Sequence, residues 1–136
     1  MKFFKIIAFI TLFSLSYSFG QQFNFQTTSL SVLQKDKKGN WGKWSTPEKV
    51  KVIVKLDYDK NKIIIYSNVI QYYSVVEYLQ KEITKVDEIN SYLCKNIDGY
   101  PFKISFIVRK DLKNKTQLYV YGEDYIFCYD IVEIVK

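Results

Sequence analysis

The stretch from Val50 to Ser67, VKVIVKLDYDKNKIIIYS, decides the fold. Its first half alternates between two faces, as successive side chains of a β-strand do. One predicted face carries Val50, Val52, Val54, Leu56 and Tyr58, and the other carries Lys51, Ile53, Lys55 and Asp57. A turn at 59–61 leads to a second strand, 63–66, that is apolar on both faces. The two runs predict an antiparallel hairpin whose second strand is central, with at least one face in the core.

The rest of the chain repeats this pattern of short strands and turns. Turn-forming residues recur at 36–40, 98–99, 111–115 and 122–124. Strand-like runs lie at about 25–34, 102–109, 117–121 and 125–135. Many short strands at this spacing are typical of sandwiches and barrels. We therefore predict one all-β domain at residues 21–136. It would be an antiparallel meander of about eight strands that forms a small barrel or sandwich. A calycin-like barrel is one possible form of it.

Residues 71–86 allow two interpretations. A helix would align Tyr72, Val76, Leu79, Ile83 and Val86 along one stripe. The residues from Gln71 to Leu79 are also rich in strand formers, although they alternate poorly. We favour a strand at 71–79, then a polar loop with one helical turn through residue 87, and a further strand at 89–97.

The first twenty residues have the layout of a secretory signal peptide. A basic start with Lys2 and Lys5 precedes the mostly apolar run 6–15, and small residues follow up to Gly20. Cleavage is predicted after Gly20, with Ser18 as the alternative. The apolar run is short for a membrane anchor, which needs about 20 apolar residues. The sequence therefore predicts an exported protein, periplasmic or secreted, with no membrane span once the signal is removed.

The charge and the missing histidines narrow the classes of function. The net charge is +6, and Arg109 is the only arginine among 20 basic residues, which argues against nucleic acid as a partner because base recognition relies on arginine. Histidine is absent, and with it the commonest general base and metal ligand. No pair of carboxylates is singled out by its spacing. We predict a non-enzymatic protein without a cofactor.

The segment Asp57-x-Asp59-x-Asn61 begins like a calcium-binding loop. An EF-hand loop continues with glycine and ends with a bidentate glutamate, and Lys62 and Asn68 occupy those positions here. The segment is therefore predicted to be a plain turn, with no metal bound.

Cys94 and Cys128 are the only cysteines. In an exported protein an even number permits one disulfide, provided that their strands are neighbours in space. Two buried thiols are the alternative, because a free cysteine packs as a small apolar side chain.

Aromatic residues provide the candidate binding site. Trp41 and Trp44 lie in a loop with four lysines, a mixture that can bind glycans or other surfaces. Seven tyrosines could line a cavity or an interface, namely Tyr72, Tyr73, Tyr78, Tyr119, Tyr121, Tyr125 and Tyr129. The predicted ligand-binding residues are Trp41, Trp44, Tyr119 and Tyr121. The alternative is that the tryptophans dock on the end of a barrel and the tyrosines cover sheet faces.

Two resemblances to known proteins accompany these residues. Gly-x-Trp occurs at 39–41 and 42–44, and this tripeptide resembles the first signature of lipocalins, which implies a ligand-holding barrel. The chain also resembles small uncharacterised exported proteins of Bacteroidota, through the signal, Trp41-x-x-Trp44, Ile63-x-Ile65-Tyr66-Ser67, Gln71-x-Tyr73, Asp98-Gly99 and Gln117-Leu118-Tyr119-Val120. The second resemblance implies a bacterial envelope setting and brings no catalytic residues.

These observations favour an exported binding protein that holds a small molecule, a glycan or a protein. The ligand would sit in the mouth of the barrel or against the tryptophan loop. The alternative is an interaction or structural protein of the envelope that binds another protein through a tyrosine-rich sheet face.

Overall fold

The computed structural model describes residues 22–134, so the predicted signal peptide lies outside the described residues. They form β1 (Gln22–Gln34), β2 (Glu48–Lys49), β3 (Ile53–Asp57), β4 (Lys62–Ile65), β5 (Gln71–Tyr78), β6 (Glu82–Ile83), β7 (Asp87–Asn96), β8 (Pro101–Arg109), a 3-10 turn at Lys110–Leu112, β9 (Lys115–Tyr121) and β10 (Tyr125–Glu133). None of the residues 22–134 belongs to a helix long and apolar enough to cross a membrane.

Eight of these strands close into an antiparallel barrel. The strands pair in the order β1, β3, β4, β5, β7, β8, β9 and β10, and β10 pairs back with β1 from Phe25↔Glu133 to Gln34↔Tyr125. The short strands β2 and β6 lie outside this circle and pair with β1 and β7. The predicted all-β meander of about eight strands is confirmed, and it closes as a barrel.

The middle of the barrel is filled with side chains. Six core residues have no exposed surface, namely Val54, Ile63, Ile65, Ile104, Leu118 and Val120. An eight-stranded barrel is just wide enough for inward-facing side chains to fill it. We call this layer the waist, and it confines the free space inside the barrel to its two ends.

The stretch from Val50 to Ser67 forms the predicted hairpin, with one difference in where its first strand begins. In β4, Ile63 and Ile65 are fully buried between β3 and β5, which confirms that this strand is central. The preceding strand, however, begins at Ile53 rather than at residue 50. Thr27, next to a bulge in β1, bonds through its hydroxyl to the backbone of Val50 and Val52, so these bonds replace the regular ladder there.

Asp57 is buried although it alternates with the core residues Val54 and Leu56 of β3. Its side chain is buried because the carboxylate turns back to accept hydrogen bonds from the backbone of Lys60 at 3.1 Å and from the Gln22 amide at 3.5 Å. The tight turn at 58–61 uses this acceptor, and Asn61 adopts a positive φ of 54°. The segment is a turn, as predicted.

The ambiguous segment 71–86 is a strand over 71–78, as favoured from the sequence, but the predicted helical turn is wrong. The chain instead forms β6 and a tight turn in which Thr84 donates its backbone N–H to Asp87 at 2.8 Å. The hydroxyl of Thr84 accepts from the Asp87 N–H at 2.9 Å. Val76 and Ile83, from the proposed helical stripe, are both exposed, so no neighbour was present to bury such a stripe.

The disulfide that the sequence permits is absent from the described structure, where both cysteines are free. Cys94 lies in β7 and belongs to the core cluster, whereas Cys128 lies in β10 and alternates with the inward-facing Phe127 and Tyr129. Strands β8 and β9 separate them, and their side chains point to opposite faces of the wall. The condition of spatial proximity is therefore not met.

The barrel has two ends with different connections. The upper end is formed by the connections 35–47, 66–70, 97–100 and 122–124. The lower end is formed by 58–61, 79–86 and 110–114, together with the start of β1 and the end of β10.

Candidate functional site

The upper end opens into a pocket of about 460 Å³. The connection 67–70 and the first residues of β5 form one side of it, and the residues 96–97 form another. The inward-facing aromatic side chains of β5, β8 and β10 form the rest of its wall, namely Tyr73, Phe102, Tyr125 and Phe127. We call this cavity the upper pocket.

A chain of ring contacts runs around this pocket. The ring centroids of Tyr73 and Phe102 are 5.1 Å apart, those of Phe102 and Tyr125 6.2 Å, and those of Tyr125 and Phe127 4.7 Å. Phe127 continues to Tyr129 at 6.2 Å. The three β10 rings lie at every second position and therefore share the inner face of the strand. Edge-to-face and tilted contacts of this kind hold the wall in place.

The polar floor of the upper pocket centres on the side-chain amide of Gln71. Its oxygen accepts a hydrogen bond from the hydroxyl of Tyr73 at 2.7 Å. Its nitrogen donates to the hydroxyl of Tyr129 at 3.3 Å and to that of Ser67 at 3.1 Å. Gln71 thus links β5, β10 and the 66–70 connection beneath the aromatic wall.

The upper pocket carries no formal charge. None of its lining residues is Asp, Glu, Lys or Arg. Burial, together with the neighbouring Tyr125 and Tyr129, raises the pKa of Tyr73 above its ordinary value, and burial likewise raises the pKa of Tyr129. Both hydroxyls therefore stay protonated at neutral pH, and the pocket suits an uncharged ligand.

The lower end holds a smaller cavity of about 250 Å³, lined in part by Phe25, Tyr58, Tyr92 and Phe106. Tyrosines crowd it. The hydroxyls of Tyr58 and Tyr92 share a hydrogen bond, and Tyr78 stacks on Tyr58 with ring centroids 5.6 Å apart. We call this the lower cavity. Ring packing and paired hydroxyls occupy most of this end.

The predicted site residues lie elsewhere. Trp44, Tyr119 and Tyr121 meet on the outer face of the barrel, with ring centroids 6.3 Å apart for Trp44 and Tyr119 and 5.7 Å for the two tyrosines. Trp41 is not among these contacts and instead lies beneath the ammonium of Lys35, 5.0 Å from its ring centroid. The structure thus brings three of the four predicted residues together, outside the two end cavities. Tyr121 also lines a groove of about 450 Å³ on the wall, beside Leu93 and Lys103.

A polar network continues along this outer face. Arg109 donates to Gln117 at 3.2 Å and to the hydroxyl of Tyr119 at 3.1 Å, and Gln117 donates to Asp130 at 2.9 Å. Lys115 pairs with Asp130 at 3.0 Å. These groups are satisfied by one another across β8, β9 and β10, which indicates a structural role.

Sequence reasoning did not single out the residues of the upper pocket. Tyr73 and Tyr125 were among seven candidate tyrosines, but Phe102, Phe127 and Gln71 were not proposed as ligand contacts. The sequence does carry a signal for them, because all of these residues occupy inward-facing strand positions next to turns that lie at the same end of the barrel.

Comparisons with protein-family models, curated proteins and solved structures give no match. The resemblances to lipocalins and to exported Bacteroidota proteins therefore stay predictions. Within residues 22–134, no group of three or more cysteine or carboxylate side chains is placed to hold a metal ion.

Proposed function

We propose that this protein is an exported, non-enzymatic binding protein that takes a largely apolar small molecule into the upper pocket. Export rests on the predicted signal peptide. The absence of charged side chains from the pocket lining supports binding rather than acid–base chemistry, because proton transfer needs a group that titrates near the working pH.

One observation carries this proposal, namely an open, uncharged pocket with an aromatic wall above a filled waist. Its volume of about 460 Å³ falls within the usual range for small-molecule sites, roughly 300–1,000 Å³. Such sites combine apolar walls with a few polar groups that orient the ligand, and Gln71 provides those groups here. The filled waist means that a ligand would occupy the mouth rather than an enclosed central cavity.

Titration with the neutral fluorescent probe N-phenyl-1-naphthylamine tests the proposal. We expect saturable binding with one site per chain. Tyr125→Ser removes one ring of the wall and should weaken probe binding about tenfold, the effect of about 1.4 kcal/mol of lost aromatic contact.

Tyr58→Ser is the matched control, because it removes a partly buried tyrosine ring from the lower cavity instead. It should leave probe affinity unchanged. If the probe does not bind, or if both variants weaken it equally, the upper pocket is not the binding site.

The alternative function, protein–protein interaction through a tyrosine-rich face, has one supporting observation. Trp44 remains 45% exposed although it packs against Tyr119 on the outer face. Under this alternative, Trp44→Ser would abolish capture of an envelope protein and leave probe binding intact. A barrel that stays monomeric and retains no partner on an affinity column would exclude it.

A further inference from the structure

The floor of the upper pocket keeps unused hydrogen-bonding capacity. The carbonyl oxygen of Gln71 can accept two hydrogen bonds and receives one, from Tyr73. The amide nitrogen of Gln71 is held by the hydroxyls of Tyr129 and Ser67. Gln71 itself lines the pocket, so a ligand there can reach its oxygen.

Tyr129 lies behind the lining and holds the Gln71 amide nitrogen, at 3.3 Å from its hydroxyl oxygen. The Gln71 oxygen therefore keeps a second acceptor site on the pocket side. A hydroxyl or carboxamide on a ligand could donate to this oxygen. A ligand that makes this hydrogen bond is favoured over one of the same size that cannot donate.

Charged head groups fit this floor poorly. A carboxylate only accepts hydrogen bonds, would face the Gln71 oxygen, and finds no lysine or arginine in the pocket lining. A cation could contact ring faces, but the wall rings meet one another at interplanar angles of 63°, 53° and 32°, which covers part of those faces. The net positive charge, +6 for the full chain and +4 without Lys2 and Lys5, also repels cations.

We propose that the ligand is an uncharged amphiphile: an apolar body that packs in the aromatic wall, and one neutral head group, a hydroxyl or carboxamide, that donates a hydrogen bond to Gln71. This inference rests on the function proposed above and names the chemical class of its ligand.

Displacement of N-phenyl-1-naphthylamine by a set of short-chain compounds tests this inference. The set contains 1-octanol, its isomer heptyl methyl ether, which cannot donate a hydrogen bond, ionised octanoate and octyltrimethylammonium. We expect 1-octanol to bind about fivefold more tightly than the ether, the effect of one net hydrogen bond. Both ions should bind more weakly than 1-octanol.

Gln71→Leu keeps the size of the side chain and removes its hydrogen bonds. It should remove the preference for 1-octanol over the ether, which is a ratio of two affinities measured on the same variant. Gln117→Leu makes the same exchange in the outer network and should leave the preference intact.

The outcomes separate the two proposals. A wild-type protein that binds the naphthylamine probe but does not distinguish 1-octanol from the ether would refute head-group recognition and leave the binding function standing. Tighter binding of octanoate or octyltrimethylammonium would refute it as well. Failure of the naphthylamine and of all four compounds to bind would refute both proposals.

Discussion

The two ends of the barrel terminate the same eight strands in opposite ways. At the lower end, aromatic rings pack on one another, and the Tyr58 and Tyr92 hydroxyls pair with each other, leaving about 250 Å³. At the upper end the rings stand around an opening of about 460 Å³, and the Gln71 oxygen in its lining keeps a free acceptor site. The difference shows that strand alternation builds the wall, while the connections and the end residues decide whether a barrel end is filled or open.

The rims of the two ends differ in a related way. Val69 and Ile97 line the upper pocket yet are 82% and 84% exposed, so they contribute little to the core. The lower end has ion pairs close by, between Lys81 and Glu88 and between Arg109 and Asp87 at 3.8 Å. We expect residues of the waist and lower end to determine stability, and residues of the upper end to determine binding.

The largest effect is expected in the waist. Ile104→Ala removes a fully buried side chain and should lower the free energy of unfolding by about 3 kcal/mol, because it leaves a cavity in close-packed surroundings. Ile97→Ala makes the same exchange at the upper rim and should change it by less than about 0.5 kcal/mol. Urea unfolding of both variants measures the difference, and equal losses would contradict the division between waist and rim.

A smaller effect is expected from the lower tyrosine pair. Tyr92→Phe removes a hydroxyl that bonds to Tyr58 and should lower the free energy of unfolding by about 1 kcal/mol. Tyr125→Phe removes a hydroxyl that has no partner among the described residues at the upper mouth, so its unfolding free energy should match the wild type. Thermal unfolding of the two variants measures the difference. A larger loss of stability in Tyr125→Phe than in Tyr92→Phe would contradict the assignment of stability to the lower end.

The smallest effect on the free energy of unfolding is expected from Asp130 on the outer face of the barrel, and it should depend on pH. Burial raises the pKa of Asp130, but hydrogen bonds from Gln117, Lys115 and Ser29 outweigh it and hold that pKa below the ordinary value. A carboxylate with a lowered pKa stabilises the fold above its ordinary pKa, and this contribution is lost as the pH falls through the folded-state value. Asp130→Asn should therefore cost about 0.5–1 kcal/mol at neutral pH.

This cost should fade in strong acid, where the wild-type carboxylate is protonated as well. Urea unfolding of wild type and variant from neutral to acidic pH measures it. A gap between them that stays constant with pH would show that the charge of Asp130 contributes nothing.

The sequence predicted the wall of this barrel better than its ends. Alternation is local, so the strand at 63–66, the strand at 71–78 and the turn at Asp98-Gly99 could be read from a few neighbouring residues. Closure could not be read this way, because β1 and β10 pair residues about a hundred positions apart, such as Phe25 and Glu133. The burial of Asp57 depends likewise on a residue distant in sequence, Gln22, which lies opposite it in the β1–β3 pairing.

The predicted tryptophan site lies apart from the upper pocket for a physical reason. The loop folds back along β1 and hydrogen-bonds it through Ser45, and Trp44 packs against Tyr119 on the outer face. The residues of the upper pocket are ordinary inward-facing positions along their strands. The connections at 66–70 and 97–100 meet above these positions and make them a pocket, and that meeting is a property of the topology.

The central claim is that ligand binding belongs to the upper end alone. Amide chemical-shift mapping by NMR, during titration with N-phenyl-1-naphthylamine, tests it most directly. We expect the amides of 67–73, 96–102 and 125–127 to shift together and those around Tyr58 and Tyr92 to stay in place. Shifts centred on the lower cavity or on Trp44 and Tyr119, or no saturable shifts at all, would contradict the claim.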